Sequence, residues 1–304
     1  YDWVCGLTMR LQHLLAFALL SLDPRLPGKT RFLLLFVQGF GRYAGPDAPS
    51  VFPKTPATLL AKLSFQLLRP AVRSGRVILA AETAGMQEEL QRFTGLEVTL
   101  LPHPVPAPEK GPTNVAPDND SITITCPGFA RHEKGSDLFQ AAIKKLLETP
   151  TADHLHFILQ WPEPFPMPDG TILGIDPDLA GHPRIEWLNQ SLDGTAYEEL
   201  LARSDLVILP YRRDSYHHRV SRVAIEAASR GIPLIYTTGT WSGSIAEIAG
   251  GGVEIREETV EAVVAAILVA CRDLTTLRAT VTAGAGAVAK YHSASRFREL
   301  MLTA

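Results

Sequence analysis

Between Ser121 and Ile255 six short apolar runs alternate with amphipathic segments, and this alternation constrains the fold more than any other feature. The runs are Ser121–Cys126, His154–Gln160, Arg184–Leu188, Asp205–Pro210, Pro233–Tyr236 and Gly252–Ile255. Their length and their Ile, Leu and Val content predict strands buried on both faces. Helices are predicted at Asp137–Leu147, Ala196–Arg203, Ser221–Arg230 and Gly243–Ile248. Thr259–Cys271, Leu274–Lys290 and a tail helix at Ser295–Leu302 follow. Strands joined by helices imply a parallel, doubly wound α/β sheet.

The first third alternates less completely. Trp3–Leu22 reads as a helix, with Leu11, Leu14, Leu15 and Leu19 at helical spacing, and Arg31–Phe40 as a buried strand. A Gly/Pro-rich loop (Gly41–Pro56), a helix at Ala57–Leu68, a strand at Arg76–Ala81, a helix at Gly85–Phe93 and a strand at Glu97–Leu101 complete it. Only three strands stand out, fewer than a doubly wound domain needs. The expectation is therefore an incomplete N-terminal domain (1–101), with a portion upstream of Tyr1 missing. Pro102–Asp120 carries prolines at 102, 104, 106, 108, 112 and 117. Such a run neither pairs in a sheet nor continues a helix, so 102–120 reads as a semi-rigid linker. A second domain at 121–290 and a tail helix at 291–304 follow.

Composition narrows the class. The 304 residues are 46% hydrophobic and 20% charged, with a net charge of −3. That balance argues against a general nucleic-acid binder, which needs a basic excess. Cys5, Cys126 and Cys271 are scattered and read as free thiols in a reducing compartment. The apolar run Leu14–Leu22 is too short to span a bilayer, and no small-x-small cleavage site follows it. The expectation is a cytoplasmic chain without a transmembrane segment, for which peripheral membrane contact remains open.

Two loops carry the chemistry. The first, Gly128-Phe-Ala-Arg131-His-Glu-Lys134-Gly135-Ser136, lies between a strand and a helix. Gly128 permits a tight turn near a ligand, and Arg131 and Lys134 put two cations at a strand's carboxyl end. Ser136 or Asp137 can cap the next helix. The second follows Asp205–Pro210. Tyr216, His217, His218, Arg219 and Arg222 surround a helix start at Ser221, where the N–H groups of Ser221, Arg222 and Val223 can receive an anion. Glu226 lies about one and a half turns further on. It suits two vicinal sugar hydroxyls, or it pairs with Arg222 at i,i+4 on an exposed helix. His217-His218 as a metal pair finds no Cys or carboxylate nearby in sequence, so no metal is expected. Thr237–Ser244 reads either as a turn closing on phosphates or as an ordinary turn with Ser242 as N-cap. Trp161 reads as a packing anchor.

Together, G-x-x-R-x-x-K-G and D-L-x-x-x-P-Y followed by E-A-x-x-x-G-x-P resemble the C-terminal domain of GT-B glycosyltransferases of the retaining family 4 type. The resemblance spans Ser121 to about Tyr291, and the first part with its proline linker is similar to the end of the family's N-terminal domain. It implies two Rossmann-like domains and a nucleotide-sugar donor, with UDP or GDP as the nucleotide. It implies donor-diphosphate contacts from Gly128, Arg131, Lys134, Arg219, Ser221 and Arg222, with Ser221 replacing the usual Gly. It further implies ribose binding by Glu226, nucleobase contacts at Trp187, Leu188 and Asn189, and no metal or other cofactor. The acceptor is a glycan, lipid or small molecule. One departure stands out: where the family's first Glu of E-x7-E contacts the donor sugar, this chain has His218. Tyr216 and His218 are the remaining sugar-side candidates. The rival readings are a non-catalytic sugar-nucleotide-binding scaffold and a sugar-nucleotide epimerase of the same fold.

Overall fold

The computed structural model describes residues 3–23, 25, 30–45, 48–108 and 121–303. The chain forms two compact units. The first comprises Tyr1–Pro104, His217–Val220 and His292–Ala304, and the second Val105–Tyr216 and Ser221–Tyr291. Of the proline-rich segment, residues 109–120 lie outside the described residues, and 102–108 form neither helix nor strand.

The first unit holds a parallel sheet of four strands in the order β1 (Trp3–Gly6), β2 (Arg31–Phe36), β3 (Val77–Ala81), β4 (Thr99–Leu100). Its helices are α1 (Leu11–Ser21), α2 (Pro56–Arg73) and α3 (Ala84–Thr94). The predicted helix over Trp3–Leu22 is thus a strand followed by a shorter helix. Trp3–Gly6 pairs in register with Arg31–Leu34, and a non-local partner of this kind leaves no mark on local periodicity. The strand count rises accordingly from three to four. Leu19 is exposed, while Leu14 and Ala18 face the core, so α1 is half-buried. The α2 helix runs past Pro70, where the sequence suggests an end, because the proline falls in its last turn. Phe32, Phe36, Phe65 and Phe93 fill the core between helices and sheet. The opposite face packs Leu33, Leu35 and Ile78 against Phe297 and Leu300 of α11 (Ala294–Thr303).

The second unit holds six parallel strands: β5 (Ile122–Cys126), β6 (Leu155–Gln160), β9 (Ile185–Leu188), β10 (Leu206–Leu209), β11 (Leu234–Thr237) and β12 (Val253–Ile255). A short antiparallel hairpin, β7 (Phe165–Pro166) with β8 (Ile172–Leu173), lies in the proline-rich excursion. The helices are α4 (Ser136–Leu147), α5 (Gly194–Ala202), α6 (Arg213–Tyr216), α7 (Arg222–Ala228), α8 (Ser242–Ile248), α9 (Val260–Arg272) and α10 (Leu274–Tyr291). All six predicted strands form within a residue or two of their expected ends. Their order across the sheet is β12-β11-β10-β5-β6-β9. Counted within the unit, the first strand lies beside the fourth, which is the doubly wound arrangement. Ile124, Ile208 and Ile235 from the sheet meet Phe139, Ile143 and Ile267 from the helices, all fully buried. Each such side chain contributes about 1.5–3 kcal/mol relative to exposure. No described helix is long and apolar enough to cross a membrane.

Candidate functional site

Strand order marks a candidate crevice in the second unit. The chain leaves β5 toward β6 on one side, whereas β10 pairs with β5 on the other, through Leu206 with Ile124 and Val207 with Thr125. A doubly wound sheet opens its ligand crevice at the carboxyl ends of two such strands. Both polar loops identified in the sequence begin there.

The first loop turns at Gly128, whose φ is +84°, and again at Gly135, whose φ is +63°. Between them His132–Lys134 form one 3-10 turn. A β-carbon on Gly135 would lie 1.9 Å from the carbonyl oxygen of Pro210, so only glycine lets the loop settle against the end of β10. The Arg212 N–H donates to the Glu133 carbonyl at 2.9 Å and fastens the two loops together. Lys134 Nζ lies 2.5 Å from where a Gly128 β-carbon would stand, so the ammonium reaches over the end of β5. Its charge also eases the burial that raises the Cys126 thiol to about 11. Cys126 is a buried free thiol. Arg131 is half-exposed, with its guanidinium 3.6 Å from Glu133. It borders a cavity of about 260 Å³ lined also by Phe129, Glu133, Glu163 and Phe165.

The caps differ from expectation. Neither Ser136 nor Asp137 caps α4; the N-cap is Gly135. Ser136 Oγ instead accepts from the Arg131 N–H at 3.0 Å, and Asp137 pairs with the half-buried Arg212 at 2.5 Å. Both acidic and hydroxyl groups therefore hold the cationic loop in shape.

The second loop is also reorganised. The α7 helix begins at Arg222, with Ser221 as N-cap, and Ser221 Oγ accepts from the Ala224 N–H at 3.2 Å. Ser221 thus satisfies its own helix end, leaving the Arg222 and Val223 amides as the first-turn donors. Arg222 Nε donates to Glu226 Oε1 at 2.7 Å, so the i,i+4 pair forms. The helix is nevertheless not exposed: Glu226 is 6% exposed and lies inside the unit. Burial pushes the Tyr197 phenol well above its ordinary value, and the nearby Glu226 charge adds to this. Tyr216 is buried with its ring 4.1 Å from that of Tyr211.

At the sheet edge, Trp187 Nε1 donates to the Leu179 carbonyl at 3.1 Å, and its ring meets Trp161 edge-on at 5.8 Å. Trp161 is buried in the core, as a packing anchor would be. The Leu188 carbonyl accepts from the Trp161 N–H at 2.8 Å, and Asn189 follows it beyond the strand. In the Thr237–Ser244 turn, Ser242 lies inside α8 rather than at its N-cap, which is Trp241. Gly239 has φ +79°, and Arg213 Nε donates to the Thr238 carbonyl at 2.6 Å.

His218 and Arg219 belong to the first unit. There, Thr83 Oγ1 donates to the His218 carbonyl at 2.8 Å and accepts from the Met86 N–H at 3.1 Å, capping α3. Burial, followed by the neighbouring His217, lowers the His218 pKa below its ordinary 6.5. Buried Glu89 of α3 approaches both imidazoles, with one ligating atom from each of the three within 4.8 Å of the others. The carboxylate absent near the His pair in sequence is therefore supplied by the fold. Also in the first unit, His103 Nδ1 meets the buried Glu82 carboxylate at 2.6 Å. Neither Glu82 nor Glu89 has a local sequence signal, since each meets its partner only through tertiary structure.

No protein-family model matches the chain, and no curated protein matches it in sequence. Solved structures do match in fold. Sucrose-phosphate synthase from Thermosynechococcus elongatus is 15% identical with a TM-score of 0.66, over 100% of this chain and 72% of its own. Anabaena HepE, solved in complex with UDP-glucose, is 13% identical with a TM-score of 0.66, over 100% and 78%. The UDP-forming α,α-trehalose-phosphate synthase from Burkholderia xenovorans is 14% identical with a TM-score of 0.66, over 99% and 72%. With its two parallel-sheet units, the chain has the Rossmann-like GT-B fold of these glycosyltransferases.

Proposed function

We propose that this chain transfers a sugar from a nucleoside-diphosphate sugar to a glycan, lipid or small-molecule acceptor. The observation that carries the reading is the pair of cationic loops on β5 and β10, the two strands flanking the crevice of the second unit. Arg131 and Lys134 neutralise the diphosphate, with Gly128 leaving room for close approach. The Arg222 amide supplements them. These groups stabilise the charge that develops on the leaving diphosphate, which is how fixed cations lower such a barrier. No resident metal is needed for that step.

Glu226 anchors the ribose. Its Oε1 accepts from Arg222 Nε, which orients the carboxylate. Leu188 and Asn189 meet the nucleobase through their backbone, while Trp187 shapes that edge from behind. Tyr216 shapes the sugar side through packing. Retention at the anomeric carbon is part of the proposal. Support from the neighbours is limited to fold, together with the UDP-glucose bound by Anabaena HepE.

A second reading rests on His218. A half-buried imidazole with a lowered pKa is neutral at pH 7 and supplies no negative charge where the resemblance expects one. A carboxylate in that place would. This favours a binder without turnover as the alternative. Incubation of the full chain with UDP-glucose or GDP-mannose separates them. Released nucleoside diphosphate supports the transferase, and binding with no product over hours supports the binder. An epimerised sugar nucleotide formed without acceptor would instead mark an epimerase.

A further inference from the structure

Glu89, His217 and His218 converge from two stretches far apart in sequence. Glu89 lies on α3, six residues beyond the Thr83 that caps it. The two histidines lie on the bend after α6, and this bend packs in the same unit as α3. Adjacent residues in a strand would point to opposite faces. The bend instead sets the two rings side by side, with centroids 4.3 Å apart at 46°.

We propose that Glu89, His217 and His218 form a binding site for a divalent transition-metal ion of the zinc class. One ligating atom from each residue lies within 4.8 Å of the other two. Ligands about 2.0–2.2 Å from zinc in a tetrahedron stand roughly 3.4 Å apart, so closure needs a side-chain movement of about 1.4 Å at most. Two imidazoles with one carboxylate suit zinc, cobalt, nickel or copper, and do not suit magnesium or calcium. Three protein ligands leave at least one position open.

Supporting contacts hold the set in place. The Gly41 N–H donates to Glu89 Oε1 at 2.9 Å, fixing the carboxylate from behind, as outer partners of a metal-bound carboxylate do. Thr83 grips the His218 carbonyl at 2.8 Å. Three glycines make the room. A β-carbon on Gly39 would lie 1.9 Å from Glu89 Oε1, and one on Gly41 2.9 Å from Oε2. A β-carbon on Gly85 would lie 2.2 Å from His218 Nδ1. Backbone from three places thus closes around the carboxylate and one imidazole. Glu89 itself is 3% exposed, and a carboxylate so buried is stabilised by a cation.

His218 also figures in the functional reading above, but the metal site lies in the first unit and metal binding needs no nucleotide. The test is calorimetric titration of Zn²⁺ into the full chain, produced without a histidine tag and free of nucleotide. One equivalent is expected to bind, and Co²⁺ in its place is expected to give visible d–d bands. Glu89→Gln and His218→Ala should each weaken Zn²⁺ binding at least tenfold. Glu89→Gln keeps a carbonyl oxygen for Gly41, and circular dichroism verifies the fold of both variants. The proposal is overturned if both folded variants bind as the wild type does. It is also overturned if the wild type binds no more tightly than His217→Ala/His218→Ala. Arg131→Ala/Lys134→Ala should leave Zn²⁺ binding unchanged, which separates the two claims.

Discussion

In the second unit, Arg131 and Lys134 come from the loop after β5, and Glu226 from the first turns of α7, which follows the neighbouring strand β10. In the first unit, Glu89 meets His217 and His218 only because a bend between two second-unit segments packs with α3. The former arrangement is written into short stretches of sequence, since a strand, a glycine turn and a helix start fix where the side chains emerge. The latter depends on tertiary packing alone. Polar groups set by local turns are therefore open to inference by spacing, and those set by packing are not.

The largest effect should separate the glycines of the two regions. Gly135→Ala puts a β-carbon against the Pro210 backbone and forces alanine to φ +63°. Because neither backbone can give way, we expect a loss of about 3 kcal/mol in urea unfolding. Gly85→Ala meets only the His218 ring, which can turn aside, so its cost should be clearly smaller. Equal costs at the two positions would break the contrast.

A pH effect of similar size belongs to the first unit. Burial lowers the His292 pKa to about 4, while its Nδ1 contacts the His103 carbonyl at 2.8 Å. The unfolded chain then binds a proton near pH 6.5 that the folded chain refuses. The stabilisation is fully present above pH 6.5 and is lost as pH falls toward 4, with a total on the order of 3 kcal/mol. His292→Asn should flatten thermal stability over that window. An unchanged pH profile would remove His292 from the account.

Smaller effects test how the second unit uses its carboxylate. Glu226→Gln should weaken UDP binding about tenfold, equivalent to about 1.4 kcal/mol. Arg222→Ala should cost only a few tenths of a kcal/mol in stability if the i,i+4 pair is all it supplies. Trp187→Phe removes the bond to the Leu179 carbonyl and should cost about 1 kcal/mol in stability. UDP affinity should then fall less than for Glu226→Gln, because Trp187 serves the crevice edge from behind.

Sequence reasoning reached furthest where period and turn chemistry agree. The six strands of the second unit, the two glycine turns and the cationic residues between them were legible from apolar runs and their punctuation. The β1 strand was not, because Trp3–Gly6 is a strand only by pairing with β2. Helix caps were misjudged where a hydroxyl or carboxylate found a more distant partner. Ser136 serves the Arg131 amide and Asp137 serves Arg212, so α4 starts from Gly135 instead. Spacing alone leaves Glu226 as either a ribose anchor or a partner of Arg222 on an exposed helix. The free chain forms the pair, yet it buries the carboxylate, which an exposed pair would not do. His218 stands where the resemblance expects a carboxylate, which the sequence shows directly. Its neighbour Glu89 was invisible, since nothing near residue 89 points to residue 218.

The central claim is that the β5–β10 crevice binds a nucleoside diphosphate through Arg131 and Lys134. Calorimetric titration of UDP, with GDP and ADP in parallel, tests it most directly on the wild type and on Arg131→Ala/Lys134→Ala. The account predicts saturable binding of at least one nucleotide by the wild type and a loss of at least tenfold in the double variant. Binding by neither protein, or equal binding by both, would contradict it.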